Sequence, residues 1–269
     1  MSQWGFYFNQ DRCLGCLTCK MACKNWNEKR RGDASINIRS YLQDNQEYAA
    51  EQNGGEYGVV LGQEENQNIY LDNEGRSNYE EFNKFYMKED WRRVETYEYG
   101  TCSLDKSTNT FVQGVDRRYL VISCNHCSDP VCVKVCPMGN IRKDPVTGAV
   151  LVVSYESCIS CGKCKEACPW DAPQFYDNNF AAYKQDDPKR PKMTKCTLCV
   201  DRISVGLKPA CVAACWNRAL DAGPVEELIA KYGEGNITTT LPEFKSSQTP
   251  LGDTQPNILF KKKTDRIRK

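Results

Sequence analysis

The spacing of the cysteines constrains this chain more than any other feature. Of 17 cysteines in 269 residues, sixteen fall into four groups of four, here called tetrads one to four. Within a tetrad, neighbouring cysteines are separated by two to four residues, apart from one wide gap in tetrad four. In chain order the tetrads are Cys13, Cys16, Cys19 and Cys23; Cys124, Cys127, Cys132 and Cys136; Cys158, Cys161, Cys164 and Cys168; and Cys196, Cys199, Cys211 and Cys215.

This spacing is typical of iron–sulfur ligands. Tetrads one and three both read C-x2-C-x2-C-x3-C, and tetrad three ends in Cys168-Pro169. That run is the bacterial ferredoxin pattern, in which three cysteines hold one [4Fe–4S] cluster and the fourth ligates the other cluster. Four tetrads therefore predict four [4Fe–4S] clusters, and a protein that moves electrons.

Two other uses of the cysteines are weaker. Disulfide frameworks belong mainly to small secreted domains, and tetrad one is too compact for most of its pairs to adopt relaxed bridge geometry. Structural zinc sites also use C-x2-C pairs, but they take two ligands from each of two separated segments. A zinc-scaffolded interaction protein stays as the third functional alternative, and it would be colourless and redox-silent.

Composition agrees with a cluster-dependent fold. The mean hydropathy is −0.64, which is low for this length, so metal centres would replace part of an apolar core. The formal charge is +1, but four oxidised clusters with their thiolates would add about −8. Some of the lysines beside the tetrads could offset this charge and raise reduction potentials; they are Lys20, Lys24, Lys134, Lys163, Lys165 and Lys195.

No apolar run approaches the length of a transmembrane helix. The first residues, Met1 to Phe8, lack the basic and apolar regions of a secretory signal and instead predict a β-strand. Further strands are expected at 119–123, 149–153 and 174–176, and a helix with the apolar stripe Val225, Leu228, Ile229 and Tyr232 is expected before Gly233. Residues 40 to about 100 lack long apolar periodicity but contain recurring aromatics up to Trp91, which favours a docked, partner-binding insertion.

Several stretches resemble the iron–sulfur subunit of the molybdopterin-dependent dimethyl sulfoxide reductase family. They include Gly5 to Cys13, Tyr119 to Cys127, Asp129 to Pro137, Cys168 to Phe175, Met193 to Arg202 and Leu207 to Leu228. The resemblance implies an α+β fold with two ferredoxin-like dicluster halves related by pseudo-symmetry, plus a long insertion. The halves would be residues 1–39 with 190–235, and residues 115–189; the insertion would be 40–114, and 236–269 a C-terminal extension with a basic tail.

The resemblance also implies which tetrads share clusters. Four ligand sets follow, each with one cysteine from the paired tetrad. Set one is Cys13, Cys16, Cys19 and Cys215; set two is Cys23, Cys196, Cys199 and Cys211; set three is Cys124, Cys127, Cys132 and Cys168; set four is Cys136, Cys158, Cys161 and Cys164. Nitrate reductase relatives have a tryptophan in place of one such cysteine, whereas every tetrad is complete here, so four cubes are expected.

The function implied by the resemblance is electron transfer without a catalytic site of its own. Electrons would pass between a catalytic subunit carrying a molybdenum or tungsten pterin and a quinone-linked membrane anchor, in anaerobic respiration. We expect no nucleic-acid partner and no transmembrane segment in this chain. Attachment to the membrane would come through the partners, on the extracytoplasmic face after co-export or, alternatively, on the cytoplasmic face.

A free polyferredoxin that serves several soluble oxidoreductases is the alternative function.

Four single features carry expectations of their own. Cys102 belongs to no tetrad and is expected to be a spare thiol. His126 either packs over its loop or makes a cluster potential depend on pH. Trp170-Asp171 and Trp216 depart from the Tyr-Gly pair and the proline usual in the family, so cluster potentials or partner packing would differ near them.

Overall fold

A computed structural model describes residues 2–27, 90–99, 102–113, 116–154, 156–175, 184 and 190–262. Its architecture mixes short helices with small sheets. In the described ranges, no helix has both the length and the apolar character needed to cross a membrane. Most of the predicted insertion, residues 40–89, and the basic end of the chain from 263 lie outside the described residues.

A four-stranded sheet joins the N-terminal strand to strands near the other end of the described chain. Its strand order is β8, β1, β12, β9, with bounds Leu220–Pro224, Trp4–Phe8, Ile258–Lys261 and Ile237–Thr238. β1 runs antiparallel to β8 and parallel to β12, and β9 is antiparallel to β12. The predicted N-terminal strand is thus confirmed. Because β8 follows Cys215 and β1 precedes Cys13, the sheet brings tetrads one and four to the same place.

Within the described residues there are also four two-stranded antiparallel sheets. β2 (Arg93–Tyr99) pairs with β5 (Asp116–Ile122), and β3 (Cys102–Asp105) pairs with β4 (Thr110–Gln113). β6 (Ile141–Lys143) pairs with β7 (Val150–Val152), and β10 (Gln248–Thr249) with β11 (Gly252–Asp253). The strands expected at 119–123 and 149–153 are confirmed as β5 and β7. Of the strand expected at 174–176, Gln174 forms an isolated bridge with Thr194, and residue 176 lies outside the described residues.

The last part of the predicted insertion belongs to the core. Trp91 and Arg92 are each 2% exposed, and β2, which follows them, pairs along its whole length with β5. The Trp91 indole donates to the Thr194 hydroxyl at 3.0 Å. Trp91 is therefore part of the core rather than of a partner-binding surface. Aromatic content alone does not distinguish the two, because buried and interface aromatics look the same in sequence.

The helices pair the tetrads. α1 (Thr18–Asn27) packs against α5 (Ala210–Ala213), and α2 (Val131–Lys134) packs against α3 (Lys163–Ala167). α4 (Val200–Ser204) follows Cys199. Tetrads one and four thus share one pair of helices, and tetrads two and three share the other. α1 continues past Cys23, because Thr18 to Asn27 contains neither glycine nor proline.

The helix expected before Gly233 is confirmed as α6 (Val225–Tyr232). It covers one face of the central sheet with Leu228, which is 3% exposed, and Tyr232 stacks on Tyr7 with ring centroids 3.6 Å apart. Gly233 ends the helix with φ of +81°, a conformation that costs glycine little.

Phe8 tests how strongly the central sheet holds the fold. It is fully buried and meets the edge of Phe260 at 6.5 Å between centroids. Phe8→Ala should lower the free energy of unfolding by about 3–5 kcal/mol, because it removes a buried ring and leaves a cavity beside Phe260. Anaerobic denaturant titration at equal iron content measures this. Val146→Ala, at a side chain that is 65% exposed, should change the free energy of unfolding by less than about 0.5 kcal/mol. Equal effects of the two substitutions would contradict the place of Phe8 in the core of the central sheet.

Candidate metal centres

Three cavities are each lined by four tetrad cysteines. A cavity of about 330 Å³ is lined by Cys124, Cys127, Cys132 and Cys168. A second, of about 370 Å³, is lined by Cys136, Cys158, Cys161 and Cys164, and a third, of about 380 Å³, by Cys13, Cys16, Cys19 and Cys215. Each cavity combines three cysteines of one tetrad with the last cysteine of another, and the groupings are those of ligand sets three, four and one.

The cysteines of set two also lie together. Burial raises the pKa of the Cys199 thiol, and the charges of Cys211, Cys196 and Cys23 raise it further. All four of these cysteines are buried, and all sixteen tetrad cysteines are free thiols. The fold therefore presents four convergent groups of thiols.

The first two cysteines of every tetrad share one loop geometry. The second residue between them has a positive φ in each case: Gly15, His126, Ser160 and Leu198, at +66°, +44°, +53° and +60°. This left-handed turn directs backbone N–H groups toward sulfur, as in the bonds from Ser160 to Cys158 Sγ and from Leu198 to Cys196 Sγ, each 3.4 Å long. Sequence reasoning missed this repeat, because only one of the four positions is glycine.

A second repeat follows the last cysteine of three tetrads. The third residue after it again has a positive φ: Gly139, Asp171 and Arg218. The next backbone N–H donates to the cysteine, at 3.4 Å from Asn140 to Cys136 Sγ and 3.3 Å from Ala219 to Cys215 Sγ. In tetrad one the helix α1 runs on, so the Asn27 side-chain amide takes this place, 3.8 Å from Cys23 Sγ. Such donors stabilise negative charge on cluster sulfur.

Gly15 shows why the loop of tetrad one needs glycine. Besides its positive φ, a side chain at this position would collide with the ring of Tyr119 on β5. The Gln10 side chain, just before the same loop, donates to the Tyr119 carbonyl at 3.1 Å. The loop of tetrad one is therefore seated directly on β5, the strand that leads into tetrad two.

Burial makes several of these thiols weaker acids, so they keep their protons until a cation binds. Burial raises the pKa of Cys19, Cys168 and Cys196 to about 11 and that of Cys127 and Cys164 to about 12, with neighbouring cysteines adding to the effect. Cys16 shows the opposite effect, because the Thr18 hydroxyl lowers its pKa at an exposed position. Metal binding must therefore displace protons from buried thiols, so it is tied to folding.

The cavities fit a polynuclear group. Four thiolates on one zinc ion would each lie about 2.3 Å from the metal, and within the described ranges no three Cys, His, Asp or Glu side chains converge that closely. The 330 Å³ cavity is also lined by Trp170 and Thr254, whose buried Nε1 and Oγ1 have no ordinary acceptor among the described residues. These two donors offset part of the rise that burial causes in the pKa of Cys127. Such donors suit the sulfurs of a [4Fe–4S] cluster.

The ligand sets follow one another in space. The charge of Cys211 in set two acts on Cys19 in set one, so these two sets are neighbours. The charge of Cys124 acts on Cys196, which joins set three to set two, while α2 and α3 carry cysteines of sets three and four. Cys16 in set one and Cys161 in set four are exposed. The arrangement is a row with an accessible sulfur at each end.

His126 is a packed, neutral side chain. It is fully buried, and its Nδ1 accepts from the Val150 N–H at 3.0 Å. Burial holds the pKa of His126 well below its usual range, and the charges of Lys195 and Arg92 lower it further. The structure therefore favours packing over the loop rather than a proton-sensitive role near neutral pH.

The departures near tetrads three and four occupy different surroundings. Trp170 is 2% exposed and stacks on Phe244 with centroids 4.4 Å apart, and Asp171 adopts φ of +48° and pairs with Lys165 at 2.6 Å. Trp216 is 63% exposed and borders the cavity of set one. Cys102 begins β3, and only its backbone is described.

The fold and the sites define an iron–sulfur protein of ferredoxin-like type, and comparison with known proteins agrees. A family model for a 4Fe-4S dicluster domain matches residues 115–225. One chain of the anaerobic dimethyl sulfoxide reductase of Haemophilus influenzae is 33% identical over 261 residues, which is 97% of this protein and 90% of the relative. The chain of the same name from Escherichia coli is 30% identical over 260 residues, 97% of this protein and 89% of the relative.

One subunit of the sulfite dehydrogenase of Allochromatium vinosum is 31% identical over 233 residues, 84% of this protein and 71% of the relative. This chain therefore belongs to the iron–sulfur subunits of the dimethyl sulfoxide reductase-like molybdopterin oxidoreductase family. It is an electron-transfer subunit of a multi-subunit oxidoreductase, and it binds [4Fe–4S] clusters.

His126 offers a test of the loop geometry. His126→Asn should be tolerated, because asparagine accepts a positive φ and can accept a hydrogen bond. His126→Val should cost about 2–4 kcal/mol, since a β-branched residue is strained there and the buried Val150 N–H loses its acceptor. Thermal unfolding of the two iron-loaded variants measures this. A valine variant as stable as the asparagine variant would contradict the role of the Val150 contact.

Proposed function

We propose that this chain carries four [4Fe–4S] clusters in a row and conducts electrons between a molybdopterin catalytic subunit and a quinone-linked membrane subunit. The observation that carries this is the series of four cysteine sets with an exposed cysteine at each end. A row with two open ends suits passage between two partners. When bound, each cluster would supply one-electron exchange.

In this proposal the ligand sets are the four named above. Sets one and two lie in a first dicluster half formed by residues 1–39 and 190–235, and sets three and four in a second half formed by 115–189. The pairing of α1 with α5 and of α2 with α3 supports these halves, and the repeated left-handed turns support their pseudo-symmetry. Residues 40–114 would be the insertion, with Trp91 and Arg92 buried in the core, β2 paired with β5 and other parts of it toward a partner, and 236–269 would be the C-terminal extension.

The protein's own residues would adjust the reduction potentials of the clusters and exclude water from them. Backbone N–H groups from Ser160, Leu198, Asn140 and Ala219 donate to cysteine sulfur. Leu120, Val121 and Ile122 of β5 are each no more than 3% exposed and belong to the same apolar core as cysteines of sets one to three. Exclusion of water around a cluster is one of the protein's means of setting its potential.

The two ends differ in their surroundings. Beside exposed Cys16 are the exposed apolar side chains of Leu14, Leu17, Met21 and Trp216. Beside exposed Cys161, Met138 lines the cavity of set four and is 51% exposed. Apolar and aromatic side chains of this kind are enriched in protein interfaces. Each end would therefore dock a different redox partner, and the complex would associate with the membrane through those partners, on the extracytoplasmic face.

Metal content tests the number of clusters. The chain purified anaerobically should contain about 16 iron and about 16 acid-labile sulfide, because each cube holds four of each. Colorimetric iron and sulfide assays together with elemental analysis for zinc measure this. Cys102→Ser should leave both values unchanged, since Cys102 lies in no ligand set. Stoichiometric zinc with little iron would overturn the proposal, and about half the expected iron would overturn the count of four.

The ligand pairing has its own test. Cys215→Ser should convert or abolish the cluster of set one, although Cys215 lies far along the chain from Cys13. Loss of one thiolate leaves three cysteines, so a three-iron signal in the EPR spectrum is expected, with iron falling from about 16 to about 12–15. The clusters of sets three and four should keep their signals. A change in the cluster of Cys124, Cys127 and Cys132 instead would show that the pairing is wrong.

A further inference from the structure

Two buried cations lie at the junctions between neighbouring ligand sets. Arg92 is 2% exposed and Lys195 is 1% exposed. Arg92 stands between sets one and two, and Lys195 between sets two and three. Charged side chains are seldom buried this completely unless they are paired.

Arg92 faces thiols on several sides. Its Nη2 donates to Cys211 Sγ at 3.2 Å, and its guanidinium lies over the Phe6 ring, 4.4 Å from the centroid. The cysteines whose charges act on it most strongly are Cys211, Cys196, Cys19 and Cys23, three from set two and one from set one. Burial alone would lower the pKa of Arg92, but these thiols raise it above its ordinary value.

Lys195 is held by the backbone against set three. Its Nζ donates to the carbonyls of Val150 and Cys196, the latter at 3.0 Å, and lies 3.6 Å from Cys124 Sγ. The carbonyls fix the position of the ammonium group but bring no full negative charge. Lys195 also lines the cavity of set three.

Neither cation has an ordinary counter-ion within the described ranges, where no carboxylate forms an ion pair with either one. By contrast, Lys20 and Lys24 both pair with Asp90, Lys134 pairs with Asp129 and Lys165 with Asp171. A buried charge without a partner is costly. The negative charge that offsets Arg92 and Lys195 must therefore come from the cysteines and the groups they hold, about −2 for an oxidised cube with four thiolates.

We propose that Arg92 and Lys195 raise the reduction potentials of the clusters held by sets two and three. Reduction adds a negative charge to a cluster, and a fixed cation in a buried setting stabilises the reduced form more than the oxidised form. The two middle clusters of the row then accept electrons more readily than they would in a neutral environment. This inference rests on the proposed function, because it requires clusters at these two sets.

The test compares single substitutions in the full chain purified with its partner subunits. Arg92→Met and Lys195→Met remove charge at nearly constant volume. Redox titration followed by EPR should show the reduced-to-oxidised ratio of one cluster falling about tenfold at the wild-type midpoint, equivalent to about 59 mV for one electron. Lys134→Met is the matched control, since Lys134 lies beside Cys132 in sequence but is 44% exposed and paired with Asp129; it should leave every potential unchanged.

A second pair of variants keeps the charge effect separate from assembly. If Arg92→Met lowers iron content, Arg92→Lys and Arg92→Gln are compared at equal iron, because both are polar and lysine alone keeps the charge. The lysine variant should titrate near wild type and the glutamine variant at lower potential. Equal potentials for lysine and glutamine, or a wild-type potential for Lys195→Met at full iron, would overturn this inference. A wild-type chain with fewer than four clusters would instead contradict the proposed function.

Discussion

The convergence of cysteine thiols on shared cavities is the constraint on which the structure depends. Apolar core is scarce in this chain, and cysteines themselves make up part of each of the two larger hydrophobic clusters. Burial raises the pKa of several of these thiols, so they contribute little as thiolates until a metal group binds them. Secondary structure is accordingly short, with helices of four to ten residues that serve mainly to carry cysteines to the cavities.

The central sheet brings distant cysteines into the same place. Cys13 and Cys215 line the same cavity, yet they lie about 200 residues apart in the chain. Antiparallel pairing of β1 with β8 brings the segments beside them together, and parallel pairing of β1 with β12 adds the C-terminal strand. The side chains of Phe6 and Phe8 on β1 are fully buried against one face of this sheet. Hydrophobic packing and metal ligation thus act on the same contact between distant segments.

Charge is distributed to match the row of sites. Lys20, Lys134 and Lys165 are partly exposed and pair with carboxylates. Arg92 and Lys195 are buried between ligand sets and contact thiols and carbonyls. Donors to sulfur come largely from backbone N–H groups at left-handed turns, which a substitution of side chains does not remove. The protein therefore has a fixed framework of hydrogen bonds, on which two buried side-chain cations add a local electric field.

Local sequence signals were enough to predict the cysteine tetrads, the iron–sulfur chemistry, strands β1, β5 and β7 and the helix α6, because ligand spacing and apolar periodicity are local properties. Whatever depends on distant segments was settled by packing. Trp91 and Arg92 looked like part of an insertion but are buried in the core, His126 is a neutral packed residue, and left-handed turns recur at His126, Ser160 and Leu198, where no glycine signals them. Of six lysines beside tetrads, only the packing shows that Lys24 pairs with a carboxylate, whereas Lys195 contacts none among the described residues, since burial and pairing arise when separate segments meet.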